Sequence, residues 1–213
     1  FNVSSLEEFS TTSKIGNPYT TRSSSDKFIF AYENDNWVKL YKPLDEKKYK
    51  FQYLGTKEQG FIFGWKQLPD NGELLIITGG EKDVMTLAAK GFNVITLNSE
   101  TATLPKSVVD ELKLRFKTIL VLYDNDETGL KQSNILAVAH GLHRLVLPTL
   151  QNNGKDISDY FANGETLEKF NALLLTAIQT PAPVELDVEK SVYNAVELLA
   201  RGEVEQKYLM QLF

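Results

Sequence analysis

Two aspartates stand directly after an apolar stretch in ILVLYDNDETG, residues 119–129. Side chains two residues apart along extended backbone point to the same side, so the carboxylates of Asp124 and Asp126 are expected to converge. Two unit charges about 4 Å apart repel by about 4 kcal/mol at an effective dielectric constant of 20. A divalent cation removes this repulsion, and Mg²⁺ prefers such hard oxygen ligands. The spacing therefore favours a metal site over the alternative, in which one aspartate only caps the following helix.

Two other segments place acidic residues after an apolar run. In LLIITGGEKD, two glycines allow a sharp turn and leave Glu81 and Asp83 in the first helical turn. Negative charge is favourable there even without a ligand, so both explanations stay open. In GKDISDYF, Lys155 and Asp156 follow a further apolar run. A helix cap explains Asp156 as well as a metal site does.

The elements that position these residues alternate regularly from residue 74 onward. Apolar runs that are suited to burial on both faces alternate with segments of helical periodicity, which indicates a parallel sheet covered by helices. Ligands of such sheets bind beyond the carboxyl ends of the strands, where the acidic segments lie. The predicted strands are 74–78, 93–97, 118–123 and 144–148, and the predicted helices are 79–91, 104–116 and 127–142.

The flanking segments have a different character. Residues 1–27 are rich in Ser and Thr and predict a flexible leading segment. Residues 28–71 hold short aromatic runs that predict an antiparallel β-rich subdomain. Residues 72–165 form the α/β domain, and residues 166–213 predict helices that link to a further domain. The TPAP break at 180–183 suggests that the tail beyond it is dispensable for folding, and we expect the chain to be a piece of a longer protein.

Taken in order, ITGGEKDVMTL, VLYDNDETGLK and KDISDYF resemble the Toprim domain, the metal-binding module of DnaG-type primases, phage primase–helicases, topoisomerases and some nucleases. The family pattern has an acidic residue after the first strand, D-x-D after the third and, in primases, K-D-x-x-[DE] after the fourth. The resemblance covers residues 72–165. The preceding aromatic strands and LGTKEQGFIFGW are similar to the N-terminal subdomain of phage-type primase polymerase cores.

The resemblance implies a fold and a set of site residues. The fold is α/β, with a Toprim-like parallel four-stranded sheet flanked by helices, a small aromatic antiparallel β subdomain before it and helices after it. Asp124 and Asp126 would hold Mg²⁺, or Mn²⁺ in its place, and Asp156 would be a further metal ligand. Lys131 and Lys155 would contact nucleotide phosphates.

The first motif departs from the family at one position. Primases usually have Glu-Gly-x-x-Asp there, whereas this chain has Gly79 in place of the glutamate. Because Gly79 and Gly80 carry no carboxylate, only Glu81 or Asp83 can supply the charge. Glu81 is nearer to the strand end and has the longer side chain. We therefore expect Glu81 to reach toward Asp124 as metal ligand or general base. Asp83 is expected to support the metal site without contacting the metal directly.

An aromatic and basic stretch, WVKLYKPLDEKKYKFQY, is the predicted nucleic-acid surface. Lysines neutralise phosphates, and aromatic rings stack on unpaired bases. A strand pair with its aromatic side chains in the core and its lysines in solvent produces the same alternation. The residues predicted to bind nucleic acid are Lys39, Lys42, Lys47, Lys48, Lys50, Tyr41 and Tyr49.

The composition narrows the function further. The net charge of −5 argues against a nucleic-acid surface over the whole chain. The absence of cysteine excludes disulfides and thiolate zinc sites in this chain and fits a reducing cytoplasm. No apolar run approaches the roughly 20 residues that a membrane helix needs, so no membrane association is expected.

The implied function is that of a DNA primase catalytic core from a phage or mobile element. It would join nucleoside triphosphates into RNA primers on single-stranded DNA, beside a fused or separate replicative helicase, in a bacterial or phage-infected cytoplasm. The alternative, which Gly79 favours, is a catalytically degenerate Toprim module that binds single-stranded DNA beside such a helicase. Minor alternatives are a Toprim nuclease and a haloacid-dehalogenase-like phosphatase. DNDET imitates the D-x-D-x-[TV] loop of that phosphatase family, which normally follows the first strand rather than the third.

Overall fold

The computed structural model describes residues 1–13, 15–58, 60–97, 99 and 101–183. The chain divides into two compact units, Phe1–Phe61 and Ile62–Phe213. This boundary lies before the expected one at residue 72. Of the predicted C-terminal helices, the part at residues 184–213 lies outside the described residues. Among the described helices, none is long and apolar enough to cross a membrane.

The described part of the first unit contains six strands. Its four-stranded antiparallel sheet contains the first, fourth, fifth and sixth strands in that order, and the second and third strands pair as a hairpin. The strands are β1 (Val3–Ser5), β2 (Glu8–Thr12), β3 (Pro18–Arg22), β4 (Phe30–Glu33), β5 (Trp37–Tyr41) and β6 (Phe51–Gly55).

Strands β1 to β3 lie in the segment that was expected to be flexible. These strands could not be predicted from the composition of the segment, because threonine suits a β-strand as well as a loop. Phe9 in β2 is buried and anchors the hairpin. The leading segment is therefore β structure rather than an irregular chain.

The antiparallel sheet has two chemically different faces. Its aliphatic face packs Ala31 and Leu40 against Phe9 and Ile29 to form the core of this unit. Residues alternate between the faces of a strand, so the aromatic side chains of β4, β5 and β6 point the other way. On this second face Tyr32 and Trp37 are buried, as one explanation of the sequence pattern assumed, whereas Phe51 and Tyr53 of β6 are partly exposed.

The second unit alternates strands and helices, as the sequence predicts. Its strands are β7 (Ile62–Phe63), β8 (Gly72–Thr78), β9 (Asn93–Leu97), β10 (Phe116–Leu122) and β11 (His143–Arg144), and its helices are α1 (Glu81–Ala88), α2 (Lys106–Arg115), α3 (Glu127–His140), α4 (Ile157–Ala162) and α5 (Leu167–Gln179). The sheet order is β11–β10–β8–β9–β7. Only β7 is antiparallel to its neighbour, and the other pairings are parallel. The last strand is shorter than the predicted 144–148.

The central strands β8 and β10 are buried along most of their length. Leu75 and Ile77 belong to a cluster that includes Val109 of α2 and Leu136 of α3. Ile76 points to the opposite face and is also fully buried. Because both faces are apolar, polar side chains can gather only at the ends of these strands, and the acidic segments follow their carboxyl ends.

Candidate metal centre

Three carboxylates meet at the carboxyl end of the parallel sheet. Asp83 lies in the first turn of α1, Asp124 follows β10 and Asp156 precedes α4. One carboxylate oxygen of each lies within 4.8 Å of the other two. In an octahedral shell with bonds of about 2.1 Å, neighbouring ligand oxygens are about 3.0 Å apart and opposite ones about 4.2 Å, so the three carboxylates have to draw closer together to hold one Mg²⁺.

The placement of Asp83 follows from where α1 begins. The helix starts at Glu81, and its buried residues are Asp83, Val84 and Leu87, which lie on one side. Residues two apart on a helix do not face each other, so Glu81 cannot share the inner side with Asp83. Asp83 is consequently only 4% exposed and points into the acidic cluster.

The geometry is the reverse of the expectation for the first motif. That expectation placed Glu81 next to Asp124 and Asp83 behind it, whereas the acidic cluster contains Asp83 and not Glu81. It treated residue 81 as part of the turn, but residue 81 is already the first residue of the helix. A direct contact of Glu81 with the metal stays an untested prediction, and the geometry favours Asp83 for that contact.

The two carboxylates of the D-x-D segment converge, but on a lysine. The Nζ atom of Lys155 lies 2.6 Å from Oδ2 of Asp124 and 2.7 Å from Oδ2 of Asp126. The other oxygen of Asp126 accepts a hydrogen bond of 2.9 Å from the backbone N–H of Gly129 and caps α3. One carboxylate oxygen of Asp126 therefore caps α3, and the other binds the ammonium group of Lys155.

Gly129 lets α3 begin close to the D-x-D segment. A Cβ atom at this position would lie only 2.2 Å from the carbonyl oxygen of Asp124. Any larger residue would force the start of α3 away from β10. The glycine that follows D-x-D therefore fixes the backbone that carries Asp124.

Asp156, like Asp126, caps a helix with one carboxylate oxygen and contacts a lysine with the other. Its Oδ1 accepts a hydrogen bond of 2.8 Å from the backbone N–H of Asp159 and caps α4. Its Oδ2 lies 2.7 Å from Nζ of Lys82 on α1. The side chain of Asp156 is 12% exposed, whereas that of Lys82 is 41% exposed, so only the carboxylate of this ion pair is largely buried.

Hydroxyl groups complete the contact between α1 and α4. The Ser158 hydroxyl donates a hydrogen bond of 2.7 Å to Oδ1 of Asp83, and the Thr86 hydroxyl lies 2.8 Å from that of Ser158. Asp159 accepts a hydrogen bond of 2.9 Å from the backbone N–H of Lys155. Sequence reasoning did not single out Lys82, Ser158, Asp159 or Thr86. Asp159 does occupy the last position of the K-D-x-x-[DE] pattern, so that pattern held a usable signal.

The pKa values of the aspartates reflect burial and their neighbours. Burial raises the pKa of Asp83 to about 7, the charge of Asp156 adds to this effect, and the hydrogen bond from Ser158 opposes it. Burial also raises the pKa of Asp124, against the opposing effect of Lys155. The hydrogen bonds from Gly129 and Lys155 lower the pKa of Asp126.

The pKa values of Lys155 and Lys82 are both raised. Burial disfavours the charged form of Lys155, but its bonds to Asp124 and Asp126 outweigh this and raise its pKa. Burial likewise opposes the charge on Lys82, and the bond to Asp156 again gives a raised pKa. Both lysines therefore stay protonated beside the acidic cluster, which retains a carboxyl group, Asp83, that ionises only near neutrality.

The remaining predicted phosphate contact and some of the predicted nucleic-acid contacts are on the surface. Lys131 is exposed on α3. Lys48 is exposed, with Nζ 4.6 Å from the ring centroid of Tyr49, which is itself 55% exposed. Lys42, in contrast, has a side chain that is only 13% exposed, and it is paired with Asp45 at 3.4 Å.

The other members of this predicted surface are less open. Lys39 is only 6% exposed, and Tyr41 and Lys50 are half-buried. The side chain of Lys47 lies outside the described part of the chain. Exposure therefore does not follow the sequence pattern of alternating lysines and aromatic residues.

Solved structures provide a likeness for this architecture, although no protein-family model and no curated protein matches the sequence. A DnaG primase catalytic domain bound to ssDNA is 19% identical with a TM-score of 0.54, covering 79% of this chain and 57% of that one. A DNA primase domain from Pseudomonas aeruginosa is 17% identical with a TM-score of 0.54, covering 82% and 56%. The E. coli primase catalytic core is 17% identical with a TM-score of 0.53, covering 79% and 57%.

The chain has the fold of a primase catalytic domain. It spans a little over half the length of these three structures, whose covered shares are 56% and 57%. Within this primase fold, the acidic cluster lies where ligands of parallel sheets bind, at the carboxyl ends of the strands.

Proposed function

We propose that the chain is the metal-dependent catalytic core of a DNA primase and that residues 72–165 are its Toprim domain. The observation that carries this proposal is the cluster of Asp83, Asp124 and Asp156 at the sheet end of a primase fold. The reaction is the synthesis of RNA primers from nucleoside triphosphates on single-stranded DNA. The partner is a replicative helicase, fused or separate, and the setting is the cytoplasm of a bacterial or phage-infected cell.

The residues of the cluster divide the work between them. Asp83, Asp124 and Asp156 hold Mg²⁺ or Mn²⁺, which when bound supplies activation of a ribose 3′-hydroxyl and stabilises the pyrophosphate leaving group. Ser158 orients Asp83 through its hydrogen bond of 2.7 Å. Asp126 adds negative charge beside Asp124, at the same lysine.

Positive charge for the triphosphate comes from the lysines. The Nζ atom of Lys155 lies beside Asp124, so it would stand next to the phosphates of a nucleotide that the metal ion holds. Lys131 lies on the exposed side of α3 and provides a second contact. Glu81, at the start of α1, is retained as a candidate general base outside the cluster.

Metal binding by matched variants tests the site directly. Calorimetric titration of Mn²⁺ into the full chain should show that Asp83→Asn weakens binding by about 5- to 150-fold, since contacts to a charged group contribute about 1–3 kcal/mol. Glu81→Gln serves as the matched control in the same helical turn and should change the affinity by less than about threefold. A larger loss in Glu81→Gln than in Asp83→Asn contradicts the assignment of the cluster.

Primer synthesis tests the activity. The chain is incubated with single-stranded DNA, labelled nucleotides and Mn²⁺ or Mg²⁺, and RNA products are resolved on a gel. The wild type should make short RNA, and Asp124→Asn should make none while remaining folded. Wild-type chain that binds metal and makes no RNA on any template contradicts the proposed reaction.

A second candidate is a catalytically degenerate Toprim module that binds single-stranded DNA and assists an attached helicase. Two features support it: Gly79 stands at the usual glutamate position, and Lys82 and Lys155 already neutralise part of the acidic cluster. The two candidates differ in the metal titration. A wild-type chain without measurable Mn²⁺ affinity favours the degenerate module.

A further inference from the structure

Lys82 brings a positive charge from α1 to one of the three proposed metal ligands. Its Nζ atom lies 2.7 Å from Oδ2 of Asp156 and 3.8 Å from Oδ1 of Asp159. The next residue along the chain, Asp83, points into the acidic cluster from the same helical turn. Helix α1 therefore supplies both a carboxylate and an ammonium group to the same site.

Asp156 already has a partner at each of its two carboxylate oxygens. Oδ1 accepts a hydrogen bond of 2.8 Å from the backbone N–H of Asp159, and Oδ2 accepts one of 2.7 Å from Nζ of Lys82. A carboxylate oxygen can accept more than one bond, so Asp156 can still share an oxygen with a metal ion. That metal ion then has to bind with an ammonium group beside it.

The other two members of the acidic cluster each have one oxygen without a hydrogen bond or ion pair among the described residues. They are Asp83, whose Oδ1 accepts a hydrogen bond from Ser158, and Asp124, whose Oδ2 binds Lys155. Both oxygens of Asp126 are in use, one in capping α3 and the other with Lys155. A single cation between Asp83 and Asp124 therefore uses both open oxygens.

A second divalent cation has no comparable place. Further aspartate donors are Asp126, Asp156 and Asp159, and each has an oxygen within 4 Å of a lysine Nζ atom. A metal ion bonded to Oδ2 of Asp156 at about 2.1 Å would lie within about 5 Å of Nζ of Lys82. Because water screens a largely buried carboxylate poorly, the two positive charges would repel each other strongly at this distance.

We propose that Lys82 is a built-in cation that limits the acidic cluster to one divalent cation. Its ammonium group neutralises Asp156 where a second metal ion would otherwise bind, and Asp83 and Asp124 hold the single ion. The inference rests on the proposed metal centre and deepens it by stating how many ions that centre takes. Because Lys82 also repels the first ion, its removal should tighten the first site and create a second.

Mn²⁺ binding to the full chain tests this inference without any catalytic step. The bound ions are counted from the electron paramagnetic resonance signal of free Mn²⁺, and ions that are lost in Asp124→Asn are assigned to the cluster. The wild type should bind one such ion. Lys82→Met removes the charge at a similar side-chain length and should bind two, the first at least about tenfold more tightly than in the wild type. Lys82→Arg keeps the charge and should bind one.

Lys169→Met is the matched control. Nζ of Lys169 forms an ion pair of 2.8 Å with Glu165, which is not a member of the cluster. Because an exposed ion pair of this kind contributes little, this variant should keep the count at one and change Kd by less than about twofold. In melting followed by circular dichroism, Lys82→Met should be less stable than the wild type without metal, since Asp156 loses its ion-pair partner. Saturating Mn²⁺ should then raise its melting temperature by more than that of the wild type.

The outcomes that overturn the inference differ from those that overturn the metal centre. Two cluster ions in the wild type overturn the inference and leave a metal-dependent primase intact. A folded Lys82→Met with one ion at unchanged affinity also overturns it, because Lys82 then only stabilises α4 against α1. Weaker binding in Lys82→Met overturns it too, since Lys82 then serves to hold Asp156 in place. A wild type that binds no Mn²⁺ contradicts the metal centre itself. If Lys82→Met does not fold, Lys82→Gln takes its place, and the wild-type count still decides between one ion and two.

Discussion

Raising the pH of the metal-free protein should lower its free energy of unfolding, because Asp83 has to release a proton inside a buried site. Its pKa is raised from 3.8 to about 7 in the folded chain, mainly by burial. Between these values the folded chain binds a proton that the unfolded chain has released. Stability decreases with rising pH wherever the folded state binds more protons. At 1.36 kcal/mol per pH unit, the full interval corresponds to about 4 kcal/mol.

The neighbouring groups leave this sign unchanged. Burial also raises the pKa of Asp124, so its titration acts in the same direction. The pKa of Asp126 is lowered, so its contribution to stability is lost only as the pH falls below about 4. The raised pKa of Lys155 gives a contribution that is fully present below about pH 10 and constant over the range considered.

Urea unfolding in EDTA, followed by circular dichroism, measures the effect at pH values from about 4.5 to about 7.5. The wild type should lose about 2–4 kcal/mol over this range. Asp83→Asn should lose much less and should be more stable than the wild type at the upper end. The asparagine keeps an oxygen that can accept the Ser158 hydrogen bond, so the variant removes the charge without leaving this hydroxyl unpaired.

Asp110→Asn is the control for removal of a carboxylate. Asp110 has a side chain that is 51% exposed and pairs with Lys106 on the same helix. Its variant should follow the wild-type pH dependence. Wild-type stability that is constant or rises toward pH 7.5, or a slope in Asp83→Asn equal to that of the wild type, refutes the argument from burial.

Three further outcomes follow from the site geometry. Asp124→Asn should weaken Mn²⁺ binding by about 5- to 150-fold in calorimetry while the metal-free melting temperature holds or rises; a large drop without metal indicates a structural role instead. Gly129→Ala should cost about 1–3 kcal/mol in urea unfolding because its Cβ meets the Asp124 carbonyl oxygen, whereas the exposed neighbour Thr128→Ala should cost little. Ser158→Ala should destabilise the metal-free chain by about 1–3 kcal/mol near pH 8 and less near pH 5, where Asp83 is protonated; equal loss at both pH values contradicts this reasoning.

The regular part of the fold was predictable because its signal is local. Strands β8 and β10 are continuous apolar runs, and the helices between the strands carry their own periodicity. The D-x-D segment at the end of β10 was visible for the same reason. Strands β1 to β3 were not, because a short hairpin of Ser and Thr has the composition of a loop and is stabilised by a distant contact, the burial of Phe9.

The choice between Glu81 and Asp83 depended on a single residue of helix boundary. If α1 began later, Glu81 would lie in the turn and could reach back over the glycines toward Asp124. Because α1 begins at Glu81, the inner side of the first turn goes to Asp83. Helix ends are the least readable feature of a sequence, since neighbouring start positions differ little in local propensity. The lysine contacts were unpredictable for another reason: Lys82 and Asp156 are far apart in sequence and meet only in the folded sheet.

The charge balance at the sheet end favours a metal site over a degenerate one. The lysines there are Lys82 and Lys155, and the aspartates in contact with them or with one another are Asp83, Asp124, Asp126, Asp156 and Asp159. The two lysine charges do not balance the charges of these five aspartates. The excess negative charge affects Asp83 most, because it is the most buried of the five, and its pKa is about 7. A buried carboxyl group with a raised pKa costs stability at neutral pH, and such costs concentrate at functional sites. A divalent cation held by Asp83, Asp124 and Asp156 would remove that cost, and the two lysines alone leave it in place.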